Sequence, residues 1–508
     1  MPIHLKPIKQ VAGRRVVVFC LTLFSVCLDL TLSGQTQIMP LAHQVTEASA
    51  PSCRPYLSDS LLLYSDIRQK TSSKLLRVLF FGNFIQYKDT GGINFSIHPF
   101  LNLEYGKQHG NPLYADSTYH TNGRGFLIHG NIGAKLTFFS SFIESQSKYL
   151  PYVSDQVLRT SSSVGNGRAK AFKGNGFDYA MATGHIVYRP INNLQLWFGN
   201  GKNFIGNGYR SLFLSDNSAN YPFGKLVYTY RNKIQYQVLF ASLSTGTRYT
   251  RYSTVEPQFI TKGYTALFAS WKLSPKLEIG IFESTIWNRS DYGRQRPSMA
   301  IQFNPIIGVN SLCQGLNGSN NSSLGLNFFL KPGYQITLYS QLLLDDAKKT
   351  GFQIGATKSN LFGQHLSLRG EFNMISKGTY NANDSISNYT NFLQPLAHPM
   401  GSGFTEIVGV LKYRWKRVLA NIQASTAHFP DGYNGPGLIG PNQSERVKGN
   451  SKLMLVNPSV GFIINSTSNL QFNVGTLYRI LQTPNFTDKT SYLYIRLSTN
   501  ITNLYFDF

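Results

Sequence analysis

Over residues 366–374 apolar and polar side chains alternate without a break, Leu366, Leu368, Gly370, Phe372 and Met374 against Ser367, Arg369, Glu371 and Asn373. Successive side chains of a strand point to opposite faces, so this stretch carries one apolar row and one charged row. The charged row must be wet. The same arrangement recurs in Ile234, Tyr236, Val238 and Phe240 against Gln235 and Gln237, and in Tyr334, Ile336 and Leu338 against Gln335, Thr337 and Gln341. From Val78 onward strand-like runs follow one another, as at residues 93–103 and 126–139. A half-buried sheet of a soluble sandwich and the wall of a membrane barrel both give this pattern.

Composition separates the two. Charged residues make up 14% of the chain and aromatic residues 13%, whereas a soluble globular protein carries roughly 25% charged residues. A lipid-facing surface needs no charge, and aromatic side chains gather where a barrel crosses the two membrane interfaces. The N-terminus agrees with export: Lys6, Lys9, Arg14 and Arg15 precede an apolar run over residues 16–32, closed by the small residues Ser33 and Gly34. The expected organisation is a signal peptide over 1–34, a polar leader with a short helical, plug-like segment over 35–77, and an outer-membrane β-barrel over 78–508. The helix is expected from a Ser58 or Asp59 cap through Leu61, Leu62 and Ile67.

The expected fold is all-β, a large antiparallel transmembrane barrel of about 18 strands at roughly 20 to 22 residues per strand and connection. Short turns are expected at Ser274-Pro275, Lys331-Pro332-Gly333, residues 360–363 and residues 414–417. Long polar loops are expected at 244–262, 314–323, 380–403 and 430–451. Leu504, Phe506 and Phe508 fall on one face of an expected last strand.

Enzyme motifs are missing: there is no G-x-S-x-G, H-E-x-x-H or G-x-x-x-x-G-K-[ST]. The ten histidines show no metal-ligand spacing, and beyond the signal peptide only Cys53 and Cys313 remain, enough for one bridge at most. No catalytic residue, metal or cofactor is assigned. The net charge of +24 calls for anionic surroundings, which for an exported chain are an acidic surface polysaccharide or an outer-leaflet glycolipid rather than nucleic acid.

Two clusters combine cations with aromatics. In the first, Lys202, Tyr209 and Arg210 sit in a glycine-rich loop, with Gly201, Gly206 and Gly208, between strand-like runs at 187–199 and 226–230. The second, just after a clear strand, holds Trp287, Arg289, Tyr292, Arg294 and Arg296. Arginine forks grip carboxylate or phosphate while rings stack on sugar faces. Each cluster has two readings: a glycan-binding patch, or a structural unit, self-packed in the first case and a salt-bridged network with Asp345 and Asp346 in the second.

Blocks across most of the chain, GKNFIGNGYRSLFLSDNSANYPF at 201–223, ESTIWNRSDYG at 283–293, FNPIIGVNS at 303–311, SQLLLDD at 340–346 and NFLQPLAHPMGSGFTE at 391–406, resemble the capsule-assembly Wzi-like outer-membrane family, especially its gliding-motility RemB-like branch. The resemblance implies a large barrel with a small helical element, and a role in attaching or organising surface polysaccharide. The competing expectation is a diffusion channel or transporter. A filled lumen favours the first and an open one the second.

Overall fold

The alternation is realised as a closed wall. In this computed structural model, the described residues are 53–54, 84–109, 117–248, 259–291, 294–295, 299–316, 320–346, 349–362, 365–433, 447–465 and 467–508. The signal peptide and the helix expected near Ser58 lie outside them. Nine strands come first: β1 (Ile93–His109), β2 (Thr118–Ile132), β3 (Leu136–Lys148), β4 (Gly176–Ile191), β5 (Leu194–Gly201), β6 (Tyr221–Tyr230), β7 (Ile234–Arg248), β8 (Phe259–Lys272) and β9 (Leu277–Asn288). Nine more follow: β10 (Asn321–Gly333), β11 (Ile336–Asp346), β12 (Lys349–Lys358), β13 (Leu366–Ile375), β14 (Phe404–Trp415), β15 (Val418–Phe429), β16 (Ser451–Asn465), β17 (Leu470–Gln482) and β18 (Thr487–Thr499). Each pairs antiparallel with its neighbours, and β18 returns to β1 with Arg496 opposite Glu104, closing an 18-strand barrel without a free edge.

The two rows sort as their chemistry requires. In β13 Arg369, Glu371 and Asn373 are buried, facing the lumen, while Leu368 and Met374 are exposed on the outer face. Phe126, Ile186, Phe198, Ile281, Ile354 and Ile407 continue that apolar outer belt around the barrel.

Among the described residues the connections at one rim are short, as at residues 133–135, 192–193, 273–276 and 416–417, whereas the other rim carries the long connections between strands, as at 149–175, 202–220 and 376–403. The expected turn at Lys331-Pro332-Gly333 lies two residues later. Gly333 still pairs with Ile336, and Tyr334 and Gln335 reverse the chain with φ of 50° and 59°, as a two-residue hairpin requires. Residues 126–139 and 187–199, each read as a single strand, are two strands apiece, broken at 133–135 and 192–193.

The end of the chain corrects the sequence reading. The closing strand is β18, and residues 500–508 belong to no strand. Tyr505, Asp507 and Phe508 are buried inside the lumen, and the expected face of Leu504, Phe506 and Phe508 is not kept, since Leu504 and Phe506 are only half-buried. Two helices escaped the sequence analysis, α1 (Pro151–Thr160) in the β3–β4 loop and α2 (Val309–Gln314) in the β9–β10 loop.

Candidate functional site: a filled lumen with a tyrosine-lined cavity

The loop at 202–220 turns inward and reaches the far wall. Its backbone polar groups find partners there, as burial demands. The amides of Tyr209 and Arg210 donate to Glu371 of β13 at 2.7 and 3.1 Å, the Leu212 amide donates to Gln341 of β11 at 2.8 Å, and the Leu212 and Phe213 carbonyls accept from the hydroxyls of Tyr380 and Tyr389 at 2.9 and 2.7 Å. The glycines allow this approach. Gly206 has φ of 141°, and a Cβ on Gly208 would stand 2.7 Å from the Glu371 carboxylate. Phe213 stacks on Phe282 of β9 with centroids 4.6 Å apart, so the loop brings an apolar core into the lumen.

Arg210 is the centre of this anchor. Its guanidinium is 1% exposed, 2.9 Å from Glu406 of β14 and 2.8 Å from Asp507, with the rings of Tyr209 and Tyr505 at 4.9 and 5.4 Å. Burial opposes the charge, but the carboxylates of Asp507 and Glu406 outweigh it and hold the guanidinium above its ordinary pKa. His398 reaches the other Glu406 oxygen at 2.7 Å. Lys202 is also buried; burial pushes its ammonium down to about 8, against the pull of Asp216. Asp216 in turn accepts from Asn503 and Tyr505, both at 2.7 Å, fixing residues 500–508 to the loop.

On the other side of residues 500–508 a cavity of about 300 Å³ remains, bounded by β14–β18, β1–β4 and α1. Tyrosines and carboxamides line it. Tyr492 and Tyr494 of β18 lie with ring planes 24° apart at 5.7 Å; the Tyr492 hydroxyl donates to Glu104 at 3.0 Å and the Tyr494 hydroxyl to Asn457 at 2.9 Å. Arg496 donates to Glu104 at 2.6 Å, and Lys148 stands 5.5 Å over the Tyr119 ring. Asn102, Asn166, Asn421 and Asn473 are among the further polar groups of the lining. Rings beside amides and paired charges suit a polyhydroxylated ligand, whose pyranose faces are apolar and whose edges need donors and acceptors. Among the described residues no group of three or more His, Cys, Asp or Glu is placed to hold a metal ion.

The residues singled out in the sequence divide. Lys202, Tyr209 and Arg210 share the inward loop, and Tyr209 also lines the cavity. Trp287 is buried on β9, edge-on to Phe303 with centroids at 5.8 Å, and Arg289 reaches Ser242 of β7 at 3.5 Å, so this second cluster belongs to the β7–β9 wall. Arg294 pairs through its backbone with Asp291, while Tyr292 and Arg296 lie outside the described residues. Asp345 accepts the Tyr380 amide at 2.9 Å. Cys313 is a free, exposed thiol. Tyr492, Tyr494, Glu104 and Arg496 were not singled out, because the register of β18 on β1 that joins them spans nearly the whole chain.

A closed antiparallel barrel with an apolar outer belt is a membrane-spanning barrel of the outer-membrane class, and in this one the 202–220 loop and residues 503–508 pack against the inner wall. No protein-family model and no curated protein sequence matches the chain. Among solved structures it is similar to Wzi of Escherichia coli, described as an outer-membrane protein involved in group 1 capsule assembly and a carbohydrate-binding β-barrel, with a TM-score of 0.50 and 13% identity over 80% of this chain and 84% of that one. The outer membrane protein OprD of Pseudomonas aeruginosa gives 0.44 at 9% identity, over 82% and 96% of the two chains. OpdQ of the same organism gives 0.42 at 10%, over 80% and 97%. At these identities the likeness is one of fold.

Proposed function

We propose that this barrel is a non-enzymatic outer-membrane protein that binds and organises surface polysaccharide, with the tyrosine-lined cavity and the cations at the long-loop rim as its contacts. The observation that carries the reading is the inward loop: anchored through Arg210 to the opposite wall, it lies beside a tyrosine-lined cavity that suits a sugar. The carbohydrate binding stated for Wzi agrees with it. Arg210 holds the loop in place, Lys202 and Tyr209 lie in that loop with Tyr209 at the cavity, and Arg289, Arg294 and Arg296, with Trp287 and Tyr292, are the proposed contacts for an acidic glycan. A gliding-motility role of the RemB-like kind would be one use of such a glycan grip.

The test is binding of polysaccharide from the source cell surface to the purified barrel. Tyr492→Ala with Tyr494→Ala should weaken it by about tenfold or more, since a stacked ring contributes on the order of 1 kcal/mol. Arg289→Gln with Arg294→Gln and Arg296→Gln should remove its salt-sensitive part. Wild-type binding unchanged in both variants, together with steady single-channel conductance of the intact protein, would replace this reading with that of a diffusion channel.

A further inference from the structure

At the barrel's short-turn rim cations gather with few acids among them. At the short-turn rim Arg231 and Lys233 occupy the β6–β7 turn, Lys272 and Lys276 bracket the β8–β9 turn, and Arg414 and Lys416 flank Trp415 at the β14–β15 turn. Lys135, Lys331 and Lys358 add one cation each at the β2–β3, β10–β11 and β12–β13 turns. Across these turns and the start of β1 the acidic residues are Asp89 and Glu278, and Glu278 is buried. At the long-loop rim some of the cations are paired with acids: Asp155 with Arg159 at 2.8 Å, Asp431 with Lys377 at 3.1 Å, and Asp488 with Arg479 at 2.9 Å.

Aromatic neighbours fix the depth of the basic ring. Trp271 and Trp415 are 55% and 50% exposed on the outer face, each adjacent in sequence to a rim cation, and Tyr230 stands beside Arg231. Indole and phenol rings on a barrel's outer face settle at headgroup level. Lys416 Nζ lies 5.1 Å over the Trp415 ring and the Arg231 guanidinium 5.1 Å over Tyr230, so the cations sit on the rings that mark that level.

We propose that this rim is a binding surface for anionic phospholipid headgroups of the periplasmic leaflet, the leaflet that the short turns of such barrels face. The ligand chemistry is a phosphodiester carried on acyl chains: the apolar belt takes the chains and paired turn cations take the phosphate. The inference assigns these rim cations to the leaflet opposite the surface glycan.

The test is native mass spectrometry of the full-length barrel with added phosphatidylglycerol or phosphatidylcholine of identical acyl chains. One variant carries Arg231→Gln, Lys233→Gln, Arg414→Gln and Lys416→Gln; a control carries Lys170→Gln and Lys173→Gln at the long-loop rim. The expected result is retention of phosphatidylglycerol over phosphatidylcholine, falling by about fivefold for each rim cation removed and unchanged in the control. Should the four-site variant not assemble, the two-site variants at either turn are expected to lose part of the preference. Glycerol 3-phosphate tests the phosphate without its chains, and its failure to compete at matched concentration supports the lipid over free phosphate. Equal retention of the two lipids, loss of the preference in the control alone, or rim-dependent binding of a soluble acidic polysaccharide without lipid preference overturns the proposal.

Discussion

At residue scale the lumen is held by charges that have no other place to go. Replacing Arg210 with methionine would leave Glu406 and Asp507 buried without their shared cation, a change that typically costs about 3–5 kcal/mol. Arg210→Met is therefore expected to lower the urea midpoint of the detergent-solubilised barrel sharply, and adding Glu406→Gln and Asp507→Asn should recover part of the loss. Lys202 works in the opposite sense. Its ammonium titrates near 8 in the fold against 10.5 for a free lysine, so between those values the unfolded chain keeps a proton that the folded one has lost. Stability should rise with pH across that window, and Lys202→Met should raise stability at pH 7, by on the order of 2 kcal/mol, and flatten the profile. A midpoint for the wild type that is constant from pH 8 to 10 would contradict the burial argument. The conspicuous cations and rings of residues 202–210 were legible in the sequence. Their direction was not, because partners such as Glu371, Glu406 and Asp507 lie more than 150 residues away.

At the scale of elements, strands were legible and the ends of strands were not. A period of two marks any extended segment that is packed on one side, whether or not it joins a ladder. Residues 503–508 show the limit. They are held by contacts to Asp216, Arg210 and the lumen wall, while the ladder had already closed through β18. The Arg479 guanidinium donates to the Phe508 backbone oxygen at 2.9 Å and lies 4.3 Å over Tyr152, which in turn donates to the Phe506 carbonyl at 2.9 Å. Since no wall pairing includes these residues, deleting 500–508 should leave a barrel that still migrates faster unheated than boiled. The same deletion removes Asn503, Tyr505, Phe506 and Asp507 from the cavity lining, so glycan affinity should fall by about tenfold or more. Loss of heat-modifiable migration would instead return these residues to a role in wall assembly.

For the whole molecule, length and period were enough to give a barrel of about 18 strands, because a chain with low charge and continuous two-faced strands has few other ways to pair every edge. What fills the barrel depends on which loops fold inward, and a glycine-rich loop reads alike whether it points into the lumen or into water. The difference decides function, and conductance measures it. The 202–220 loop carries Leu212, Phe213 and Leu214, each fully buried, across to a wall where a Cβ on Gly325 would collide with the Phe213 ring at 2.3 Å. Gly325→Val should therefore displace Phe213 and loosen the loop without touching a charged group, at a cost of about 1–3 kcal/mol for overpacking. In planar bilayers the intact barrel is expected to stay closed, Gly325→Val to flicker, and replacement of residues 203–219 by a short glycine-serine linker to open a steady conductance. The linker variant is decisive because it removes the Arg210 anchor and the aromatic core together while leaving the 18 strands and their turns unchanged. If the intact protein already conducts as well as the linker variant, the loop does not obstruct the path, and the lumen serves passage rather than grip.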